Sequence, residues 1–259
     1  MRGGLVAVLA TALVAASAAA AAPKPRVTLI TDSVGAALGW DSTAAHAFEA
    51  GLDARLELGP CRRLASTGCP VAGEVPPSAL DLIRQLGRGL GPNVVIEVGY
   101  NDDPHAYAAG IGEVLRALDA ARVQHVFWVT LHSSSGVYAE TNQVIRSAAA
   151  RRRNVSVIDF DACAAGHDDW FDAAGVHLSA AGAEGLARCL HDGVLRVLDA
   201  PPPPPPLEVE LHVAPGLVPG FRAQLVASGG TAPYRFTALG LPLGLHADAR
   251  GTVTGTIRR

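Results

Sequence analysis

Up to about residue 200 the chain alternates between short apolar runs and longer amphipathic stretches. Five of the short runs are rich in β-branched or aromatic residues and are predicted strands: Val27 to Ile30, Ala54 to Leu58, Asn93 to Val98, His125 to Leu131 and Val155 to Phe160. Stretches of helical period cover Ser78 to Leu86, Tyr107 to Ala121 and Glu140 to Arg152, and Ser179 is placed to N-cap a last helix towards Leu198. This alternation predicts an α/β domain in which helices cover both faces of a parallel sheet.

A different pattern begins after an unbroken run of prolines, Pro201 to Pro206. Such a run forms a stiff polyproline II rod of roughly 19 Å, which predicts a linker. Beyond it the candidate strands are Leu207 to Val213, Phe221 to Ala227, Tyr234 to Thr237 and Thr252 to Thr256. The predicted organisation is an α/β domain over residues 23–200, a linker over 201–206 and a small all-β module over 207–259.

Residues 1–22 have the layout of a secretory signal peptide. A lone Arg2 precedes an apolar stretch, and small residues lead to Pro23. We therefore expect a secreted, extracellular protein, with no later segment apolar enough to span a bilayer.

The four cysteines agree with export, because an even number in a secreted chain favours disulfides over metal thiolates. Three pairings are possible. We prefer Cys61 with Cys69 and Cys163 with Cys189, since short loops close more easily.

Charge and residue spacing argue against two kinds of function, nucleic-acid binding and metal binding. The formal net charge is −3, and loss of Arg2 with the leader makes it about −4 with no basic block, so nucleic acid is not an expected partner. Loop carboxylates and imidazoles at Asp102, Asp103, His105, His167, Asp168 and Asp169 match no metal-ligand spacing. We expect neither a metal nor another cofactor.

Three distant segments carry the candidate chemistry: Thr31 to Gly35, Gly99 to Asp102, and Gly175 to Ser179. The first two follow the first and third predicted strands, and the last precedes the final helix. The carboxyl ends of parallel strands meet at one sheet edge, where ligands bind. We therefore expect Ser33, Asn101 and His177 to share a site.

These three residues are the types that acyl transfer requires. A serine hydroxyl is a weak nucleophile and needs a base, together with donors for the developing oxyanion. Ser33 would attack an ester and form an acyl-enzyme, and His177 would take and return the proton. The Ser33 N–H and the Asn101 side chain would hold the oxyanion, while Asp32 orients the turn.

The same segments resemble the SGNH, or GDSL-type, hydrolase family, over roughly Arg26 to Leu198. The blocks that carry the resemblance are Asp32-Ser33-Val34, Gly99-Tyr100-Asn101-Asp102 and Gly175-Val176-His177-Leu178-Ser179. It implies a three-layer α/β/α, flavodoxin-like fold and serine esterase or deacylase activity. It also implies that Ser33 is the nucleophile, His177 the base and Asn101 an oxyanion donor.

Two positions depart from the family pattern. Thr31 replaces the glycine before Asp-Ser, and Ala174 stands three residues before the histidine, where the family has its acid. The nearest acid is Asp172. Three alternatives follow: the His177 ring is oriented by Asp172 through a shifted loop, it is oriented by a backbone carbonyl, or it has no adequate partner. The third alternative would mean a degenerate enzyme.

The family's second block, which supplies a glycine N–H to the oxyanion hole, has no clean match. Gly59, Gly68 and Gly73 are the candidates. Gly68 is preferred because it lies between Cys61 and Cys69, in a loop that a disulfide would stiffen.

The expected substrate is an ester on a lipid, a carbohydrate or a small molecule. Tyr100 and the segment from His132 to Ser135 are expected to line the pocket. Transfer of the acyl group to another alcohol uses the same chemistry. The rival hypothesis is a non-catalytic surface or glycan-binding protein built on a degenerate hydrolase domain.

The segment after the prolines is similar to immunoglobulin-like repeats of bacterial surface proteins. The similarity rests on three stretches, Gly229 to Phe236, Gly240 to Leu245 and Gly251 to Thr256. A complete sandwich needs about 100 residues and roughly seven strands, so we expect an incomplete module. An exposed sheet edge would favour contact with a cell surface or a protein partner.

Overall fold

The structure is a computed structural model that describes residues 23–199, 207–213, 220–228 and 233–256. The chain divides into two compact units, with the boundary between Asp199 and Ala200. The predicted signal peptide and the proline linker lie outside the described residues.

The first unit is built on a five-stranded parallel sheet. Its strands are β1 (Arg26–Thr31), β2 (Asp53–Glu57), β3 (Asn93–Glu97), β4 (His125–Val129) and β5 (Val155–Ile158). Their spatial order is β2-β1-β3-β4-β5. The chain therefore reverses direction across the sheet between β1 and β3, and in such sheets ligands bind beside this point, beyond the carboxyl ends of the strands.

Helices cover both faces of this sheet. They are α1 (Ser42–Glu49), α2 (Ala79–Leu86), α3 (Pro104–Ala120), α4 (Ala139–Ala150), α5 (Phe160–Ala164) and α6 (Ala180–Leu198). Side chains of α2, α3 and α4 pack on one face of the sheet, and those of α1, α5 and α6 pack on the other. Every side chain of β3 is buried, as a central parallel strand requires. The predicted α/β/α fold class is confirmed.

Most predicted elements are present with shifted ends, and the shifts have local causes. The predicted strand from His125 ends at Val129 because the Asn142 side chain takes both backbone groups of Leu131. The predicted strand from Val155 ends at Ile158 because Asp159 caps α5.

Helix starts show the same influence of capping residues. Helix α3 begins at Pro104 rather than Tyr107, since the Asp103 carboxylate accepts the N–H groups of His105 and Ala106. Ser179 caps α6 as predicted. Two short helices, α1 and α5, were not predicted, because each is too short to show a clear helical period.

Both preferred disulfides, Cys61–Cys69 and Cys163–Cys189, are present. The first closes the loop after β2, and the second joins α5 to α6. None of the helices in the described part of the chain is long and apolar enough to cross a membrane.

The second unit contains a four-stranded antiparallel sheet. Its strands are β6 (Glu208–Val213), β7 (Phe221–Ser228), β8 (Leu245–Ala247) and β9 (Thr252–Gly255), in the order β6-β7-β9-β8. The strand predicted at Tyr234 to Thr237 is wrong, because that segment lies in no strand of the sheet that the described residues form. The Phe236 N–H donates to the Ala249 carbonyl at 3.2 Å. The immunoglobulin-like resemblance is not confirmed and stays a prediction.

Candidate active site

The turn that follows β1 is held by the side chain of Asp32. This carboxylate is fully buried and accepts three backbone N–H groups, from Val34 at 3.1 Å, Gly99 at 2.9 Å and Tyr100 at 2.8 Å. The first bond shapes the turn around Ser33, and the other two tie that turn to the segment after β3. Asp32 therefore brings the Ser33 and Asn101 segments to one sheet edge, as the order of the strands predicted.

A second buried carboxylate, Glu97 at the end of β3, supports the same turn. Its Oε2 accepts the Gly35 N–H at 3.0 Å, and its carbonyl accepts the Asp32 N–H at 3.0 Å. A side chain at position 35 would collide with Glu97 Oε2 and with Thr31. Burial raises the pKa of Asp32 to about 6 and that of Glu97 well above its usual value. No local sequence pattern indicates this role of Glu97, because the role depends on contacts with the turn.

The loop after β2 places Asn101. The buried Arg62 guanidinium donates to the carbonyls of Thr31 at 3.1 Å and Glu57 at 2.6 Å, which joins the ends of β1 and β2. The Arg62 carbonyl accepts the Asn101 Nδ2 at 3.3 Å. An amide nitrogen carries two hydrogens, so Asn101 keeps a second donor for a ligand.

Asp102, the last residue of that block, fixes the loop from the other side. Its carboxylate accepts the Leu64 N–H at 3.0 Å, and burial raises its pKa to about 6. Its role in this arrangement is structural, since it binds the backbone of the loop that carries Arg62.

His177 lies in the loop before α6, and Asp172 lies beside it. Asp172 Oδ2 is 3.4 Å from His177 Nδ1, and Oδ1 accepts the N–H groups of Val176 at 3.2 Å and His177 at 3.3 Å. These backbone donors lower the pKa of Asp172, so this carboxylate is ionised at neutral pH.

Asp172 lies two positions further from His177 than the acid of the family pattern, and a turn accommodates the two additional residues. The Gly175 N–H donates to the Asp172 carbonyl at 2.8 Å, with Gly175 at φ +72°. A side chain at position 175 would collide with Ser134 Oγ, so the loop also packs closely against the segment after β4.

The predicted site residues are brought together in two groups. Asp32, Ser33, Gly99, Asn101 and Asp102 form one connected turn system, and His177 with Asp172 forms the other. Within the described ranges the Ser33 hydroxyl has no hydrogen-bond partner, so it is not bonded to the His177 ring, and the Ser33 N–H has no acceptor. Catalytic hydrogen bonds are often long in the absence of substrate.

The preferred second-block glycine, Gly68, lies in the loop closed by Cys61 and Cys69. It packs against the Cys61 carbonyl and the Pro76 ring. Its predicted N–H contribution to the oxyanion hole stays a prediction, as do the catalytic roles of the other site residues. Among the described residues no cluster of three or more histidine, cysteine or acidic side chains is arranged to hold a metal ion.

The buried carboxylates predict a distinctive dependence of stability on pH. Both Asp32 and Glu97 have folded-state pKa values above those of the unfolded chain, so the folded state binds their protons more tightly. For Asp32 this contribution is complete below about pH 4 and is lost as pH rises through about 6, and for Glu97 it is lost as pH rises through that residue's own raised pKa. Glu97→Gln, which cannot ionise and still offers Gly35 an acceptor, is expected to gain stability relative to the parent as pH rises from 5 to 8.

Chemical denaturation of both proteins at several pH values measures this difference. The control is Glu113→Gln, which removes a half-exposed carboxylate on α3 and should leave the pH dependence nearly unchanged. A difference between Glu97→Gln and the parent that does not vary with pH would show that Glu97 is not held protonated.

Comparisons with known proteins support the α/β/α fold described above. No protein-family model matches the chain, and no curated protein is significantly similar to it. Among solved structures, it is similar to the C-terminal catalytic domain of peptidoglycan O-acetyltransferase A from Streptococcus pneumoniae, at 18% identity and a TM-score of 0.50. That match covers 68% of this chain and 96% of the other.

Two further structures show the same relationship. One is a protein from Agrobacterium tumefaciens str. C58 to which arylesterase activity has been ascribed, at 15% identity, with 67% of this chain and 99% of that chain covered and a TM-score of 0.50. The other is assigned as an SGNH hydrolase from Slackia heliotrinireducens, at 20% identity, with 66% and 100% covered and a TM-score of 0.48. The sheet order, the helix layers and the two likenesses at a TM-score of 0.50 show that the first unit has a three-layer α/β/α fold.

Proposed function

We propose that the first unit is a serine esterase or deacylase that forms an acyl-enzyme at Ser33. The proposal is supported above all by the three hydrogen bonds that the Asp32 carboxylate accepts from backbone N–H groups, because they hold the Ser33 turn against the Asn101 segment. In the part of the chain that the structure describes, the Ser33 N–H has no acceptor and Asn101 Nδ2 has a spare hydrogen, and both lie at the same sheet edge. Two such donors are what a tetrahedral oxyanion requires.

The reaction follows from these groups. Ser33 Oγ attacks the ester carbonyl carbon, and its proton passes to His177 Nε2. The Ser33 N–H and Asn101 Nδ2 bind the oxyanion until the bond to the leaving alcohol breaks. His177 returns the proton to that alcohol, and then activates a water molecule that hydrolyses the acyl-enzyme.

In this mechanism Asp172 is the acid that orients His177, in place of the family's acid at the position that Ala174 occupies. An ionised carboxylate 3.4 Å from His177 Nδ1 favours the tautomer with a proton on Nδ1, which leaves Nε2 free to accept the serine proton. The His177 side chain is 52% exposed, so water can reach the acyl-enzyme. Transfer to an alcohol remains the alternative outcome of the same chemistry.

We also propose that the protein is exported, because residues 1–22 have the pattern of a signal peptide. We further propose that the second unit contacts a cell surface or a protein partner. Strand β6 supports the latter, because Val209, Leu211 and Val213 are exposed on it. The substrate class is an acyl or acetyl ester of a lipid, a carbohydrate or a small molecule.

The direct test is covalent labelling with a fluorophosphonate probe. This reagent reacts only with an activated serine, so the folded protein should be labelled and peptide mapping should place the label on Ser33. Heat-denatured protein is the control and should not react. Folded protein that resists the probe would support the rival hypothesis, a non-catalytic binding protein with a degenerate site.

Asp172→Asn is expected to lower kcat for a short p-nitrophenyl ester by roughly 10- to 100-fold. The amide can still accept the Val176 and His177 N–H groups, so the loop should keep its fold, but it cannot stabilise the imidazolium. Steady-state kinetics with circular dichroism measure both parts of the expectation.

The matched control for that variant is Asp169→Asn, which alters another exposed carboxylate beside a histidine, 4.0 Å from His167. It should stay within about twofold of the parent. If Asp172→Asn is equally active, His177 is supported by a backbone carbonyl.

A further inference from the structure

A second histidine and aspartate pair lies between the two halves of the site. His132 Nδ1 is 2.7 Å from Asp161 Oδ1, and the His132 side chain is only 15% exposed. His132 follows β4, and Asp161 lies in α5, where the Thr130 hydroxyl accepts its backbone N–H. The pair is therefore fixed by the ends of two neighbouring strands.

The surroundings of His132 connect it with both catalytic segments. Its backbone N–H donates to the Tyr100 hydroxyl at 2.9 Å, and Tyr100 precedes Asn101. Its ring lies on the Phe171 ring with centroids 5.0 Å apart, and Phe171 precedes Asp172. The imidazole thus stands beside the segments that supply the oxyanion donor and the base.

One nitrogen of this ring is unused. The Asp161 carboxylate accepts the hydrogen bond from Nδ1–H, so in the neutral imidazole Nε2 carries an acceptor lone pair. Within the described ranges Nε2 has no hydrogen-bond partner. Nε2 is open to solvent rather than enclosed in the protein, so a hydroxyl group of a ligand can reach it.

We propose that His132 is a specificity-determining residue whose Nε2 accepts a hydrogen bond from a free hydroxyl on the alcohol part of the substrate. This inference rests on the proposed esterase function and narrows its substrate to an ester of a polyhydroxylated alcohol, such as a partly acetylated sugar. The segment that follows is rich in hydroxyl groups, at Ser133, Ser134, Ser135 and Tyr138, which suits the same class of substrate. Asp161 acts as a positioning residue that fixes the tautomer and the orientation of the ring.

The test compares two acetyl esters in the full-length protein. p-Nitrophenyl acetate has no free hydroxyl, whereas a mono-acetylated methyl glucoside has several. His132→Phe keeps a ring against Phe171 and removes the acceptor. We expect kcat/KM for the sugar ester to fall by roughly 10-fold, mainly through KM, and kcat/KM for p-nitrophenyl acetate to change by less than about threefold.

Asp161→Asn provides a second variant that keeps the imidazole itself. Asp161 is 45% exposed, so this substitution should be tolerated by the fold, and we expect a smaller loss in the same direction. His167→Phe is the matched control, because His167 also stacks on an aromatic ring, that of Trp170 at 4.2 Å, and lies near a carboxylate. It should not discriminate between the two esters.

Each other outcome overturns the proposal. Equal losses on both esters would mean that His132 acts in the chemical step or in the fold, and unchanged kinetics would mean that it does not touch substrate. A parent that hydrolyses p-nitrophenyl acetate but not the sugar ester also contradicts it. Failure of the esterase function itself would be recognised separately, as a parent that neither reacts with fluorophosphonate nor hydrolyses either ester.

Discussion

Replacing Ser33 by alanine is expected to reduce esterase activity by at least roughly 10³-fold while leaving the fold intact. The substitution removes the atom that would form the acyl-enzyme, and the other hydroxyl of this segment, that of Thr31, is fully buried. The side chain makes no hydrogen bond within the described part of the chain, so its loss leaves no buried partner unsatisfied. Hydrolysis of a short p-nitrophenyl ester measures activity, and thermal unfolding measures stability.

The matched control is Ser147→Ala, which removes a hydroxyl from an exposed position on α4. Its activity and its melting temperature should both equal those of the parent. A Ser33→Ala protein with full activity would refute the assignment of the nucleophile and, with it, the proposed function.

Asp32→Ala is expected to cause the largest loss of stability among the site substitutions, about 2–4 kcal/mol in the free energy of unfolding. Three backbone N–H groups would lose their acceptor at a fully buried position, and each unsatisfied donor costs about 1–3 kcal/mol. Removal of a buried carboxylate, whose pKa burial has raised to about 6, offsets part of that cost at neutral pH. Activity should fall as well, because the Ser33 turn loses its tie to the Asn101 segment.

Denaturant unfolding at pH 7 measures the effect, with Asp41→Ala as the control. Asp41 caps α1 by accepting the Thr43 N–H at 2.8 Å, and its loss should cost only about 1 kcal/mol. Asp32→Asn keeps one acceptor oxygen, so its loss in free energy of unfolding should lie between those of Asp32→Ala and Asp41→Ala. An Asp32→Ala protein as stable as the Asp41→Ala control would mean that the three contacts contribute little to the folded state.

Much of the site follows from local sequence pattern. The order of strands and helices places the Ser33 and Asn101 segments at the carboxyl ends of β1 and β3, so their meeting at one edge needs only a parallel sheet. Ser179 has the residue type and position of an N-cap, and it is one. The preferred cysteine pairs close short loops, and both are present.

Other parts of the site depend on contacts between residues far apart in sequence. Glu97 lies 62 positions from Gly35, and no local pattern indicates that its carboxylate accepts that N–H. The pair of His132 and Asp161 spans 29 positions and two strand ends. The offset acid Asp172 reaches His177 only because a turn at Gly175 shortens the path between them.

The sequence by itself supplied Ser33, Asn101 and His177 as candidate residues, whose catalytic roles stay predictions. It determined the fold class and the edge of the sheet at which the Ser33 and Asn101 segments meet. Hydrophobic periodicity and strand alternation encode these features, because they depend on which face of each element is apolar. Only the tertiary structure decided which acid lies beside His177, which carboxylates are buried beneath the Ser33 turn and which histidine is left with a free acceptor. Those features depend on distances of a few ångströms between distant segments and on the loss of solvent around them, and neither is a property of a local stretch of sequence.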